Sequence, residues 1–482
     1  MLFNSIEFLL FFVIVFSLYY LLKDKSKLQN ALLLVASYVF YAWANWKILP
    51  MLAATTAVFY GLGIAVFNAK TDKRKSFFTI LGVIVGIGSL LYFKYFNFFI
   101  ASFKDLFELF GLQTNLHTFK IILPIGISFY TFRLLSYIID IQRGKFEPTR
   151  DITVFATYVA FFPCILSGPI DRPATLIPQL QNKRVFDYSF TVDGIRQILW
   201  GLFKKIVVAD NCAIFVNQVF ADSDIQAGNT LLFAAIFFSF QIYADFSGYS
   251  DMAIGVAKLL GFRVTKNFNY PYFAQNIAEF WRKWHISLTS WLTDYVFMPL
   301  NIKLRKWGNW GMILAIVINF VICGLWHGDN WTFVVWGFYH GLLFIPLVLS
   351  GAMYRKNKIV TYKWGFPKPR VLLNILLTFA LVTFGLVFFR TDNIGQAFTY
   401  FNNMIDKSLF YIYLDKSVLK CLLFIFFMIT IEWQQRNRQH GLETFALGWN
   451  KWLRYIFYFI LAFATILFGI KEIPSEFIYF QF

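Results

Sequence analysis

The sequence predicts an all-α, polytopic membrane protein, and three observations carry that prediction. Apolar residues fill 58% of 482 positions and charged residues only 15%, with a mean hydropathy of +0.58, outside the usual composition of soluble domains. The apolar residues come in blocks of about 20, the length a helix needs to cross a bilayer, and lack the ten-residue alternation of an outer-membrane barrel. Lys and Arg gather in short clusters between these blocks, as they do in loops on the cytoplasmic side of a membrane. That clustering also argues against a nucleic-acid partner despite a net charge of +18, because no extended basic face results.

Taken in order, residues 1–22 lack a basic n-region and a small-residue cleavage site, and read as a retained first span. Lys23, Lys25 and Lys27 put its end inside, and Lys70, Lys73, Arg74 and Lys75 do the same two spans later, so the chain starts outside. Residues 77–93 return outward. Next, Phe96, Phe99, Phe103, Phe107 and Phe110 recur at helical steps among Lys94, Lys104, Asp105 and Glu108, the pattern of a helix lying in the outer interface. A span at 121–139 leads into a basic inner loop at 140–151. Residues 152–170 carry Pro163, Gly168 and Pro169 between two basic flanks, which predicts a re-entrant or broken helix.

Residues 196–205 read as a basic cytoplasmic segment, followed by spans near 207–220 and 231–246. Asp245 and Asp251 then sit in apolar sequence, where each would cost about 2.5–3.5 kcal/mol facing lipid. They are expected to face protein or water and to pair with neighbouring helices. Short inner-face helices are expected around 279–306, and later spans near 312–325, 333–349, 372–389, 419–432 and 453–470. The loop at 354–370 falls inside, and the C-terminal residues 473–482 end outside. No internal repeat or long linker divides the chain, so residues 1–482 read as one integral-membrane domain.

The chemistry concentrates between Glu279 and His340. Of five histidines, His285 and His327 each follow a tryptophan in apolar sequence, and ionisable groups in such a setting usually mark a pathway or a reactive site. Imidazole suits removal of a proton from a hydroxyl near neutral pH. His327 is flanked by Gly324 and Gly328, expected to leave room for a substrate, with Trp326 and Trp331 as walls. Four scattered cysteines form neither a disulfide framework nor a metal signature. No nucleophile elbow, phosphate loop or zinc-protease motif is present. On these residues alone, a general-base enzyme and a proton-coupled transporter of a small solute both fit.

The combination of Trp281-Arg-Lys-Trp284-His285-Ile-Ser-Leu, Gly324-Leu-Trp326-His327-Gly328, Phe246-Ser-Gly248-Tyr249-Ser-Asp251-Met-Ala, Leu123-Pro-Ile-Gly126-Ile-Ser-Phe-Tyr and Ser167-Gly168-Pro169-Ile resembles the membrane-bound O-acyltransferase family. The likeness covers nearly the whole chain and is greatest to the bacterial branch that is alginate O-acetyltransferase-like and D-alanyl-transfer-like. The resemblance implies a bundle of about 11 spans plus re-entrant and interfacial helices around a transmembrane tunnel. It implies His327 as the main catalytic residue, with His285 orienting the donor or stabilising the oxyanion. It implies cytoplasmic acetyl-CoA as acyl donor, no metal, and a polysaccharide acceptor outside the membrane, such as an exopolysaccharide or peptidoglycan. Arg282 and Lys283, with Trp284 and Trp326, are the expected donor-binding residues, and Lys303, Arg305 and Lys306 further candidates to attract phosphates. The location implied is the bacterial cytoplasmic membrane, with both termini outside.

The last residues, Phe477-Ile-Tyr479-Phe-Gln-Phe482, resemble the terminal motif of acyl-relay peptides that work with this branch. The resemblance implies that Tyr479 carries the acetyl group to a periplasmic, esterase-like partner; an aromatic anchor at the outer interface is the alternative. A phenol has a pKa near 10, so its acetyl ester donates more readily than an alkyl ester.

Overall fold

A computed structural model describes residues 1–43, 45–112, 114, 117–119, 121, 123–355, 358–411, 415–469, 477 and 478. Among these the regular structure is helical, with a single isolated bridge between Thr361 and Pro367. Eight helices among the described residues are long and apolar enough to cross a membrane, and the apolar Ile6–Leu21 helix is shorter. On Ile6–Leu21 and Lys451–Gly469 most of the large apolar side chains are exposed, as lipid-facing surfaces require. The chain folds as two compact units, Met1–Ile195 with Ala253–Thr265, and Arg196–Met252 with Lys266–Phe482.

In the first unit the Ile127–Gln142 helix is the core element, buried along almost its whole length. The Leu49–Asn68 and Asp72–Leu90 helices pack on it through glycines: Gly63 lies against the Tyr137 ring, Gly82 against Ile138 and Gly86 against Leu135. Missing side chains let backbones approach closely, the usual device where lipid supplies no hydrophobic drive. The Asp72–Leu90 helix runs on through a π-turn, Leu91–Tyr95, into Phe96–Leu109, which buries none of its side chains. The phenylalanine-rich segment is therefore an extension of the preceding span and not a separate element.

The expected break falls after the Ile152–Ala160 helix. Residues 161–171 are buried without regular structure until the Pro173–Gln181 helix. Such backbone persists only where protein satisfies its carbonyls. Arg133, fully buried, does so with Nη1 donating to the Tyr158 and Val159 carbonyls (3.3 and 3.4 Å) and Nη2 to that of Pro169 (3.0 Å). Asp171 closes the segment by accepting from the Thr265 amide (2.8 Å) and hydroxyl (2.6 Å).

In the second unit residues 228–252 of the 32-residue Gly228–Leu259 helix carry Asp245 and Asp251. A seven-residue π-turn, Phe203–Ala209, sets two consecutive lysines inward against it. Lys204 Nζ stands 2.6 Å from Asp251 Oδ2 and 4.0 Å from Glu432 Oε1, and donates to Ser247 Oγ at 2.9 Å. Lys205 Nζ stands 2.7 Å from Asp245 Oδ1 and 2.9 Å from Asp210 Oδ1. Both aspartates pair with protein groups, as expected. Lys204 and Lys205 are buried: two carboxylates on a facing apolar helix need cations, and the π-turn delivers them. Gly201 and Gly248 make that crossing possible, since a Cβ on Gly201 would lie 2.6 Å from the Gly248 carbonyl oxygen.

Candidate active site

His327 is the last residue of the Gly308–His327 helix, and the Trp331–Leu342 helix turns back along it. The two pack tightly because a Cβ on Gly324 would collide with the Phe333 carbonyl, and one on Gly337 with that of Phe320. The space beside Gly328 is taken by the Phe333 ring. These glycines therefore serve the helix crossing, and the expectation that they leave room for a substrate is corrected. Trp326, one of the two expected wall residues, stands against His327 together with Trp336 and Phe389, with ring centroids 5.0, 5.2 and 5.2 Å away, while Trp331 is 52% exposed. Trp336 and Phe389 carry no motif that singled them out in sequence.

His285 is fully buried and precedes the Ile286–Leu292 helix with a φ of +43°. That left-handed conformation is strained for a residue with a Cβ, at a cost of order 1–3 kcal/mol, and persists only where surroundings enforce it. Asn267 enforces it from both ends. Its backbone carbonyl accepts from the Ile286 amide at 2.8 Å, and its side chain reaches His285 Nδ1 at 3.0 Å. The Asn267 Oδ1 atom also accepts from the Ser287 amide (3.3 Å) and hydroxyl (3.0 Å), while Nδ2 donates to Ser250 Oγ (3.2 Å). Because a backbone N–H can only donate, the amide orientation is fixed, and His285 Nδ1 must be the protonated nitrogen. Neutral His285 then presents a lone pair on Nε2. It can accept a hydrogen bond or a proton there.

Trp326 joins the two histidines, its ring centroid 5.7 Å from His285 and 5.0 Å from His327. Phe246 closes the other side of His285, edge-on at 4.6 Å. A third histidine completes the cluster: buried His340 meets Trp336 edge-on at 5.0 Å, and its Nδ1 accepts from Trp281 Nε1 at 3.3 Å. The same arrangement gives Trp281 of the first Trp-His motif a definite partner.

The expected donor-binding residues separate. Lys283 is tied to Glu279 at 2.7 Å, and Trp284 is buried against Phe268 and Phe280. Arg282 donates to the Met353 carbonyl at 3.1 Å and faces a mostly apolar cavity of about 530 Å³ that Trp281, Asn319 and Cys323 also line. Lys303, Arg305 and Lys306 are exposed. Tyr479 lies outside the described residues. Among the described residues no cluster of His, Cys, Asp or Glu is arranged to hold a metal ion.

The model of the membrane-bound O-acyltransferase family matches residues 149–390, which include Asn267, His285, His327 and His340. The chain is 40% identical over 413 residues to the probable alginate O-acetylase AlgI of Azotobacter vinelandii, covering 84% of this chain and 78% of that one. It is 31% identical over 435 residues to the peptidoglycan O-acetyltransferase of Helicobacter pylori, covering 84% and 80%. It is also 31% identical over 278 residues to the teichoic acid D-alanyltransferase of Bacillus subtilis, covering 55% and 68%. With its helical membrane architecture and these matches, the chain is a multi-pass O-acyltransferase and belongs to the membrane-bound O-acyltransferase family.

Proposed function

We propose that the protein takes acetyl from cytoplasmic acetyl-CoA and passes it across the bacterial cytoplasmic membrane to O-acetylate an extracytoplasmic polysaccharide. The observation that carries this reading is the level of identity to relatives named as an alginate O-acetylase and a peptidoglycan O-acetyltransferase. The acceptor is accordingly an alginate-like exopolysaccharide or peptidoglycan. The pair of histidines against one tryptophan supports it as a place where a hydroxyl can be deprotonated away from water.

In this reading His327 takes the proton of the attacking hydroxyl, and His285, held by Asn267, lies along the same path. The oxygen adds to the thioester carbonyl, the C–S bond breaks, and the CoA thiolate leaves with the proton that His327 received. Arg282 borders the cavity beside Trp281 and is the cation best placed to meet the donor there. The attacking hydroxyl is the phenol of Tyr479, which then yields its acetyl group to a periplasmic, esterase-like partner. The two preceding residues support this role, because Phe477 and Ile478 are buried, and Phe477 lies 6.0 Å from Phe246, the ring that flanks His285.

The test is reconstitution in vesicles with labelled acetyl-CoA, the partner and a polysaccharide acceptor. Release of CoA with label on the acceptor is expected. His327→Ala should lower the rate by about 10² to 10⁴, the usual worth of a general base. Near-normal transfer by that variant overturns the assignment.

A further inference from the structure

Asp245 uses its two carboxylate oxygens for different tasks. Oδ1 pairs with Lys205 Nζ at 2.7 Å, and Oδ2 accepts the backbone N–H of Ile478 at 2.7 Å, a residue 233 positions away in sequence. Phe477 is seated beside that bond, 4.7 Å from the Tyr249 ring and 6.0 Å from Phe246. The Gly228–Leu259 helix thus offers a carboxylate and two aromatic rings from successive turns, all on the side that reaches His285 through Phe246. A charged acceptor in a buried setting makes a strong bond to an amide. It holds the chain there by its backbone.

We propose that Asp245 is a positioning residue: with Tyr249 and Phe246 it forms a seat for the C-terminal segment at Phe477 and Ile478, and acetyl transfer depends on that seat. The proposal rests on the reading of Tyr479 as acyl carrier, because Tyr479 is the next residue along the chain. Lys205 keeps a second carboxylate, Asp210, at 2.9 Å, so Asp245→Ala leaves the lysine paired, removes the acceptor of the Ile478 N–H, and tests the seat more than the fold. Ile478→Pro removes the donor N–H and leaves the Asp245–Lys205 pair untouched.

The experiment is hydrogen–deuterium exchange of the C-terminal peptide in the full-length protein in nanodiscs, with kcat and KM for acetyl-CoA measured on the same samples. In both variants the amides after Phe477 should exchange about tenfold faster, the worth of one hydrogen bond. The kcat should fall by a similar factor, the KM should hold, and the Gly308–His327 helix should keep its protection. A helix-packing role for Asp245 would instead leave Ile478→Pro with normal kcat, and would overturn the proposal. So would unchanged exchange in both variants, or faster exchange with undiminished kcat. Mass spectrometry of the same peptide separates the two readings. No acetyl on Tyr479 together with full activity of Tyr479→Phe ends the relay, while the exchange and kcat of Ile478→Pro still decide the seat.

Discussion

Asn267 Oδ1 stands 3.0 Å from His285 Nδ1 and also accepts from the amide and hydroxyl of Ser287. One asparagine therefore sets both the tautomer and the strained backbone of His285. Asn267→Ala should leave His285 free to take the other tautomer and to relax its φ. We expect kcat to fall about tenfold to a hundredfold, the scale of losing a partner that orients a catalytic group. Asn267→Asp, which keeps an acceptor at that place, should recover part of the loss. Steady-state kinetics of acetyl transfer check this, and equal rates for Asn267→Ala and the wild type would remove Asn267 from the site.

The crossing of the Gly308–His327 and Trp331–Leu342 helices depends on Gly324. Gly324→Ala places a methyl group against the Phe333 carbonyl and must push the helices apart, at a cost of about 1–3 kcal/mol. A lowered unfolding temperature, together with reduced activity because His327 and Trp336 part, is the expected outcome. Thermal unfolding followed by tryptophan fluorescence reads the first and acetyl transfer the second.

Lys204 holds Asp251 and neighbours Glu432, with its side chain 3% exposed. Lys204→Met leaves two carboxylates without their cation, and breaking a buried pair from one side typically costs about 3–5 kcal/mol. Folded yield should drop sharply. Adding Asp251→Asn and Glu432→Gln to the same chain should restore much of it, because the neutral amides need no counter-charge. Monodisperse yield in detergent measures both steps.

Arg133 answers three carbonyls of the broken segment. A bond to a charged donor is worth about 1.5–3 kcal/mol, and Arg133→Met removes all three. We expect faster amide exchange across residues 158–171 and a lower unfolding temperature. Arg133→Lys should rescue little, because a single ammonium cannot reach carbonyls on both sides of the break.

The proposed topology is checked by single cysteines in the loops at 23–27, 70–75, 140–151 and 354–370. An impermeant thiol reagent added outside should leave them unlabelled.

Composition and the lengths of apolar blocks were enough to determine a helical membrane protein, because lipid leaves a spanning backbone almost no alternative to the helix. The two Trp-His motifs were legible for a similar reason: an ionisable ring in apolar sequence stands out against its background. The break after residue 160 was also visible, in Pro163, Gly168 and Pro169. What satisfies that break was not, since Arg133 lies on another helix and looks in sequence like any other basic residue. The same holds for Lys204 and Lys205, whose inward direction comes from a π-turn and whose partners Asp251 and Asp245 lie forty or more residues away. Gly324 and Gly328 were read as open space, although only the packed neighbour shows that the Phe333 backbone and ring fill it. Asn267 had no motif at all, and its role exists only once folding brings residues 267 and 285 together. Residue chemistry is local and can be read along the chain, but pairing of buried charges, helix crossings and the tautomer of an imidazole are set by which atoms meet in space.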